Sequence, residues 1–544
     1  MKRIVLIMTL ALSIFSLSGQ TANDAITFGQ QYHGGTARYM SMGGAFNALG
    51  GDFSTLSVNP AGIGIYRSNE FTFTGDLRFN ETTTGVNAAT TQIGGQALSP
   101  YSTSLTDTKS NFNFNSVGYV SGADVNSSQG LVRINYGFGF NRLKNYHKAY
   151  RGEVLNSTHS LTDNWAKSLN DFGTSGATTG AFIANQAYLM NTPNGVQDSY
   201  TSPLIEGATT DYIKDVVEEG KINEWVFSVG GNVDHWLYFG ATFGLQDISI
   251  RKEYFQTEYF WNTSSDDSFY DGNSYHRYSD DGAMETAYEA NDEDYFNYYS
   301  QEQIDGTGIN GKFGVIVRPL DAFRFGLAIH TPTVNFIRVE QYADIYNNTY
   351  FFDEDNNENA GGEGYESVTP DDYRTISPYK LHGSAAVLLG KVLALDAEVD
   401  MIDYSSMKIK NTSGGTLDYQ QANDAIKEMY KTSYNARVGA EFRVVPAMAL
   451  RAGFSYYGSP YEDNIAYDAS GEMTDAADYI GNRFDYSGGM GFRAGDFFLD
   501  LAYIHSVQEN RNMLFDGAIS PNEFYEMDLD QKTNRFMMTM GFKF

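Results

Sequence analysis

Asp396, Glu398 and Asp400 stand at alternate positions and form a compact acid–base set in this sequence. On an extended chain alternate residues share a face, so these carboxylates lie together, opposite Leu395, Ala397, Val399 and Met401. They could trade protons, yet carboxylates at i, i+2 are also ordinary on the wet wall of a β-barrel. No nucleophile accompanies them. Gly-x-Ser-x-Gly is absent. The chain has no cysteine, which excludes a disulfide scaffold, a Cys-ligated zinc or iron–sulfur site and a lipoprotein anchor. The eight histidines (His33, His147, His159, His235, His276, His330, His382 and His505) show no metal-ligand or haem-ligand spacing. Parity puts His330 and His382 on one side of their strands. The sequence therefore reads as no enzyme, with no metal and no cofactor.

The charge balance narrows the partners. Lys and Arg number 37 against 67 Asp and Glu, a net charge of −30, which disfavours nucleic acid. The acids cluster: 253–309 holds fourteen and one base, Arg277, and 339–378 holds ten and one base, Arg374. These two stretches read as long loops, either a solvated, self-repelling surface or a divalent-cation site. Asp353-Glu354-Asp355-Asn356-Asn357-Glu358 offers oxygens at alternate positions, but Glu358 stands where an EF-hand loop needs glycine. The same loops could dock other surface proteins.

Such residues must be positioned by strands. With 55 Gly, 39 Tyr and 37 Phe against 11 Pro, the composition favours extended structure. Lys2 and Arg3, the apolar run Ile4–Leu17 and small Ser18-Gly19 read as a signal peptide over 1–19. No other stretch is long enough for a transmembrane helix, so an exported chain that enters a membrane does so as strands. Period-2 alternation places strands near 70–80, 111–121, 131–143, 223–232, 236–252, 310–318, 323–338, 379–389, 392–408, 433–443, 447–457, 484–493, 497–508 and 533–544. The last is plain: Phe536, Met538, Met540, Phe542 and Phe544 share one face. Fourteen strands, with short and long connections strictly alternating, predict an all-β, antiparallel transmembrane barrel (70–544) with long extracellular loops, in the outer membrane of a Gram-negative bacterium. Closure satisfies every backbone amide within lipid.

Residues 20–69 are not strand-like. Small residues and a turn-forming Asn-Pro suit a segment folded inside a barrel too wide for side chains to fill. The motifs Gly43-Gly44-Ala45-Phe46, Gly50-Gly51-Asp52 and Asn59-Pro60-Ala61-Gly62 lie here. With Gly326-Leu327, His330-Thr331-Pro332, Arg437-Val438-Gly439-Ala440-Glu441 and the terminal Phe544, the chain resembles the FadL/TodX-type outer-membrane transporters of hydrophobic compounds. More narrowly it is similar to their Bacteroidetes branch, often labelled hemin receptor. The resemblance implies an N-terminal hatch containing the Asn59-Pro60-Ala61-Gly62 turn and an external hydrophobic groove. It also implies a kinked third strand through which ligand leaves sideways into the outer-membrane lipid, with no energy-coupling cofactor.

On this chain Gly137 and Gly139 face the lumen from the third strand and are candidates for that lateral opening, because glycine weakens a strand. Equally, they could make room for the hatch. In 144–222, Leu161, Trp165, Leu169 and Phe172 recur at helical spacing behind Ser160 or Thr162 as cap. Phe182 and Ile183 begin a second apolar cluster, and 210–217 reads as a third helix. These helices would cap the barrel, line a groove for a hydrophobic small molecule, or both. The overall expectation is a monomer that admits such molecules, long-chain fatty acid-like or haem-like. The rival is an assembly barrel whose acidic loops bind other proteins without transport.

Overall fold

The computed structural model describes residues 22–30, 32, 34–88, 91–93, 96–98, 104–125, 130–190, 199–204, 209–261, 276–278, 284–286, 294–348, 351–352, 358–359, 362–412, 419–462, 478–513 and 525–544. The proposed signal peptide, His33 and the acidic run 353–357 lie outside them.

Fourteen antiparallel strands form a closed barrel. They are β1 (Glu70–Ala88), β2 (Leu105–Asp124), β3 (Leu131–Asn145, continued by Lys148–Ser157), β4 (Thr209–Val233), β5 (Leu237–Trp261), β6 (Asp294–Leu320), β7 (Phe323–His330 and Val334–Asn347), β8 (Glu363–Ile376 and Lys380–Leu389), β9 (Leu393–Asp403 and Lys408–Asn411), β10 (Thr432–Val445), β11 (Met448–Tyr457), β12 (Asp478–Ala494), β13 (Phe497–Met513) and β14 (Tyr525–Lys543). Each pairs with the next, and β14 returns to β1 in unbroken register from Glu70↔Lys543 to Ala88↔Tyr525. Helices α1 (Ala22–Gly29), α2 (Ala37–Ser41) and α3 (Thr55–Val58) precede the barrel. Helices α4 (Leu161–Gly176), α5 (Thr179–Gln186) and α6 (Gln420–Met429) belong to its connections. No helix among the described residues is long and apolar enough to cross a bilayer.

The wall has two zones. In the lower one, Phe71, Phe313, Leu327, Val399, Val438 and Phe536 are exposed on the outside, while Asp76, Asn135, Glu224 and Asp396 are buried inside. That is the pattern lipid demands. Higher up the pattern inverts. Ile248, Ile250, Ile304, Ile337 and Val339 point inward into an apolar cluster with Ile26 and Phe28 of α1, and Arg251, Asp305, Arg338 and Glu340 are exposed outside. The wall is also uneven, with 25 residues in β4 and in β5 and 27 in β6 against 10 in β11. At about 3.3 Å per residue and a tilt of about 40°, 25 residues rise roughly 60 Å. The lipid band is only about 25 Å tall.

This upper zone corrects the expected loops. Much of 253–309 and 339–378 is strand, so many of their acids, among them Glu253, Glu302, Asp305 and Glu340, sit on the wall above the lipid. The expected helix over 210–217 is part of β4, where Tyr212 and Val216 are buried against the neighbouring sheet. Pro332, which cannot donate to a ladder, stands in the break of β7.

Candidate functional site

The lumen holds the N-terminal segment, and the barrel pins it from all sides. Small residues let it approach the wall: a Cβ at Gly453 would overlap the backbone of Met42 and Gly43, and Gly43 itself needs its positive φ of 64°. Asn59 caps the short 3-10 turn Pro60–Ile65, its Oδ1 accepting from Ala61 N at 3.1 Å and its Nδ2 donating to Asn47 O at 2.9 Å. Pro60 starts the turn, where its missing N–H costs nothing. Asn59, Pro60, Ala61 and Gly62 are thus buried together at the base of the lumen.

The three carboxylates of β9 have become latches and counter-ions. Glu398 accepts from the amides of Phe46 and Asn47, each at 3.4 Å, and Asp396 from Leu49 N at 3.2 Å. Asp400 bonds His382 Nδ1 at 2.6 Å. Arg437 of β10 is fully buried and bridges Glu398 and Asp400. His382, Glu398 and Asp400 have ligand atoms within 4.8 Å of one another, but the guanidinium between the carboxylates already supplies the cation. His330 packs on His382 at 4.3 Å and bonds Val58 O at 2.7 Å, so both act as structural hydrogen-bonders. Further pins are Arg38 to Glu441 (2.8 Å), Arg324 to Leu49 O (2.5 Å), Thr539 to Ala37 N (2.7 Å), Ser455 to Gly43 O (2.6 Å) and Asn135 to Ile63 O (2.7 Å). Residues 35–64 are thus almost wholly buried at the base of the lumen.

Gly137 and Gly139 face this segment. A Cβ at Gly137 would strike Leu56 and Ile63, and one at Gly139 would strike Phe53. The wall changes just above them. The β2–β3 ladder runs from Asp124↔Arg133 only as far as Ser116↔Asn141. Beyond it β2 continues to Leu105 paired with β1, and β3 continues paired with β4. Asn115 is bulged out of the β1–β2 register and Leu143 out of the β3–β4 register. The upper part of β3 turns inward across the lumen side of β1, where Asn80 donates to His147 O and Thr84 to Arg151 O, both at 2.5 Å. Phe112 and Phe114, outward on β2 at this height, are 60% and 57% exposed, so the ladder parts within the apolar band.

Behind the parted ladder lies a cavity of about 650 Å³, within the range of small-molecule sites. Its lining mixes Ile26, Leu143, Val339 and Leu529 with tyrosines such as Tyr146, Tyr150 and Tyr373. It also carries eight Lys and Arg against four Asp and Glu, the reverse of the chain's overall balance.

Helix α4 starts at a capping box: Thr162 N donates to Ser160 Oγ at 3.0 Å and Ser160 N to Asp163 Oδ2 at 2.9 Å. Trp165, Leu169 and Ile183 are buried with Phe260, Phe296 and Ile345 of the strand tops; Leu161 and Phe182 are half-buried beside them. Phe172 is 51% exposed. Apart from Phe172, these apolar residues pack against one another and the rim. None of them lines the cavity.

Sequence reasoning missed the cavity residues Arg142 and Lys144, and it named Arg437 in a motif without its role as counter-ion. The first two follow Gly139 in a strand that also carries Arg133, so neither charge stood out; the third depended on a pairing across 37 residues or more.

No family model matches the chain, and no curated protein matches it in sequence. Solved structures do. A Pseudomonas aeruginosa FadL homologue aligns at 12% identity over 95% of this chain and 100% of its own, with a TM-score of 0.53. The P. putida toluene transporter TodX aligns at 14% identity over 94% and 99%, with a TM-score of 0.48. The Ralstonia pickettii toluene transporter TbuX aligns at 14% over 94% and 99%, with a TM-score of 0.41. At such identities the likeness is one of architecture, and the chain is a plugged fourteen-stranded barrel with the fold of the P. aeruginosa FadL homologue.

Proposed function

We propose that this protein is an outer-membrane channel for hydrophobic small molecules, long-chain fatty acid-like or haem-like, which leave the lumen sideways through the wall between β2 and β3. One observation carries the reading: the β2–β3 ladder stops at Ser116↔Asn141, inside the apolar band and beside a 650 Å³ cavity. The pinned hatch blocks the axial path, which favours the lateral one. The physics agrees, since an apolar ligand gains about 25 cal/mol per Å² removed from water and keeps that gain by passing from cavity to lipid. The barrel acts as a monomer and without a cofactor in this reading, and the FadL-type fold supports it by analogy.

Uptake of a labelled long-chain fatty acid, and separately of haem, in a deletion strain with and without the restored gene is the test. Restored uptake for one ligand is expected, reduced by Asn59→Ala with Pro60→Ala. Uptake equal in the deletion and restored strains for both ligands overturns the assignment for these ligands.

A further inference from the structure

The upper segment of β9 carries Lys408 and Lys410 on one face, exposed on the outside of the barrel, with Ile409 buried between them. Across the β8–β9 ladder Lys410 lies directly opposite Arg374, and Lys408 opposite Ile376. Arg374 and Ile376 point outward too, since their neighbours Tyr373 and Thr375 are buried. One patch thus gathers three cations. Side chains directly opposite in an antiparallel pair have Cβ atoms about 5 Å apart, with diagonal ones roughly 7 Å apart, and like charges so placed repel.

Other exposed cations above the lipid have acids at hand. Arg251 pairs with Glu253 at 2.5 Å, Arg338 with Glu340 at 3.2 Å and Lys532 with Glu81 at 3.8 Å. Lys408, Lys410 and Arg374 form no ion pair among the described residues. Arg374 donates through Nε to Asn411 O at 2.8 Å. Asp372, the acid on the same face of β8, stands one step higher and opposite Arg338.

The patch also has a definite height. Arg374 is the cross-strand partner of Phe336, an exposed residue of the outward apolar row of β7, and Lys408 shares a rung with Ile376 and Val334. On the wall below, Val399 of β9 and Tyr434 of β10 are exposed. Two residues above Phe336 the outward row of β7 turns to Arg338. The cations therefore sit where lipid tails end and headgroups begin, the level to which long basic side chains reach. A chain of net charge −30 repels anions over most of its surface, so charge selects this patch for one.

We propose that Lys408, Lys410 and Arg374 form a site on the outer wall for the phosphate of an external-leaflet glycolipid, whose acyl chains lie along the apolar residues below. Phosphate accepts two parallel bonds from a guanidinium fork and meets lysines as point charges. Placed between the strands, it turns the repulsion across the β8–β9 ladder into attraction. Patch and wall together match an amphiphile in the order a lipid presents its parts. The inference rests on the outer-membrane placement and not on the lateral route.

The test uses full-length protein in non-ionic detergent, with native mass spectrometry counting bound lipid. The probes are diphosphorylated lipid A, the same lipid with its phosphates removed, and inorganic phosphate. The wild type is expected to retain lipid A at least tenfold better than the dephosphorylated lipid, since each cation near a lipid surface is worth about fivefold in binding. Lys410→Gln alone should lose about fivefold. The margin should vanish when Lys408→Gln, Lys410→Gln and Arg374→Gln are combined, and persist in Lys221→Gln, an exposed cation on β4. Heat-modifiable mobility checks the fold. Without lipid the triple variant should melt no lower than the wild type, because the repulsion is gone, and lipid A should raise the melting temperature of the wild type but not of the triple variant. Equal retention of lipid A by wild type and triple variant, or of both lipids by the wild type, overturns the site. If inorganic phosphate displaces lipid A or raises the melting temperature as far, the patch is a free-anion site and the lipid assignment falls. The channel reading stands in each of these cases.

Discussion

At the scale of single residues, the lumen of this barrel is held by charges that oppose one another in pairs and threes. Arg437 is the clearest case, fully buried between Glu398 and Asp400, one of which also anchors the hatch. Removing one member of such a set leaves an uncompensated buried charge, which costs about 3–5 kcal/mol. Arg437→Met should therefore lower the temperature at which the purified barrel loses its compact mobility on semi-native gels. Arg437→Met combined with Glu398→Gln and Asp400→Asn should regain most of that loss. The carboxylates themselves were legible as a lumen-facing set from their i, i+2 spacing. What they do was not, because Leu49 and Asp396 lie 347 positions apart and nothing local in either announces the other.

Strands were legible where lipid writes the pattern and illegible where it stops. Phe536 to Phe544 alternate without fault, and so do the outward residues of β3 up to Phe140. Above the lipid the apolar face turns inward, as Ile248, Ile250, Ile304 and Ile337 do around α1, and the outward face turns polar. A reader following apolar-out alternation therefore loses the strand and sees an acidic loop. The segment 210–217 misleads for a related reason: Tyr212, Ile213, Val216 and Val217 recur at helical intervals as well as on a half-buried strand. Gly137 and Gly139 belong to this scale, since they let β3 lie flush against Leu56, Ile63 and Phe53. Gly137→Val should push the hatch off its seat at about 1–3 kcal/mol without unmaking the barrel. The check is ion conductance in planar bilayers, which should rise above the wild-type leak while heat-modifiable mobility is retained.

For the molecule as a whole, the hatch and the barrel are two solutions to one problem of volume. Fourteen strands enclose more space than their inward side chains fill, and the N-terminal segment occupies the remainder at the barrel base. Deleting residues 20–66 should leave an inserted barrel that conducts ions steadily and is less stable to heat, measured in the same bilayers and gels. A deletion that still seals would mean that the wall itself closes the lumen. The closed ring with its short and long connections was readable from end to end, whereas the cavity was not, because its lining is drawn from α1 and from strands as distant as β3 and β14.

The uneven rim has its own consequence. With β4, β5 and β6 more than twice the length of β11, one flank stands like a parapet tens of ångströms clear of the bilayer. Tyr342 and Tyr346 of β7 and Tyr365 of β8 are exposed beside that flank. An impermeant tyrosine-modifying reagent supplied from the loop side should reach these rings, and their labelling would show which way up the protein sits in an intact cell.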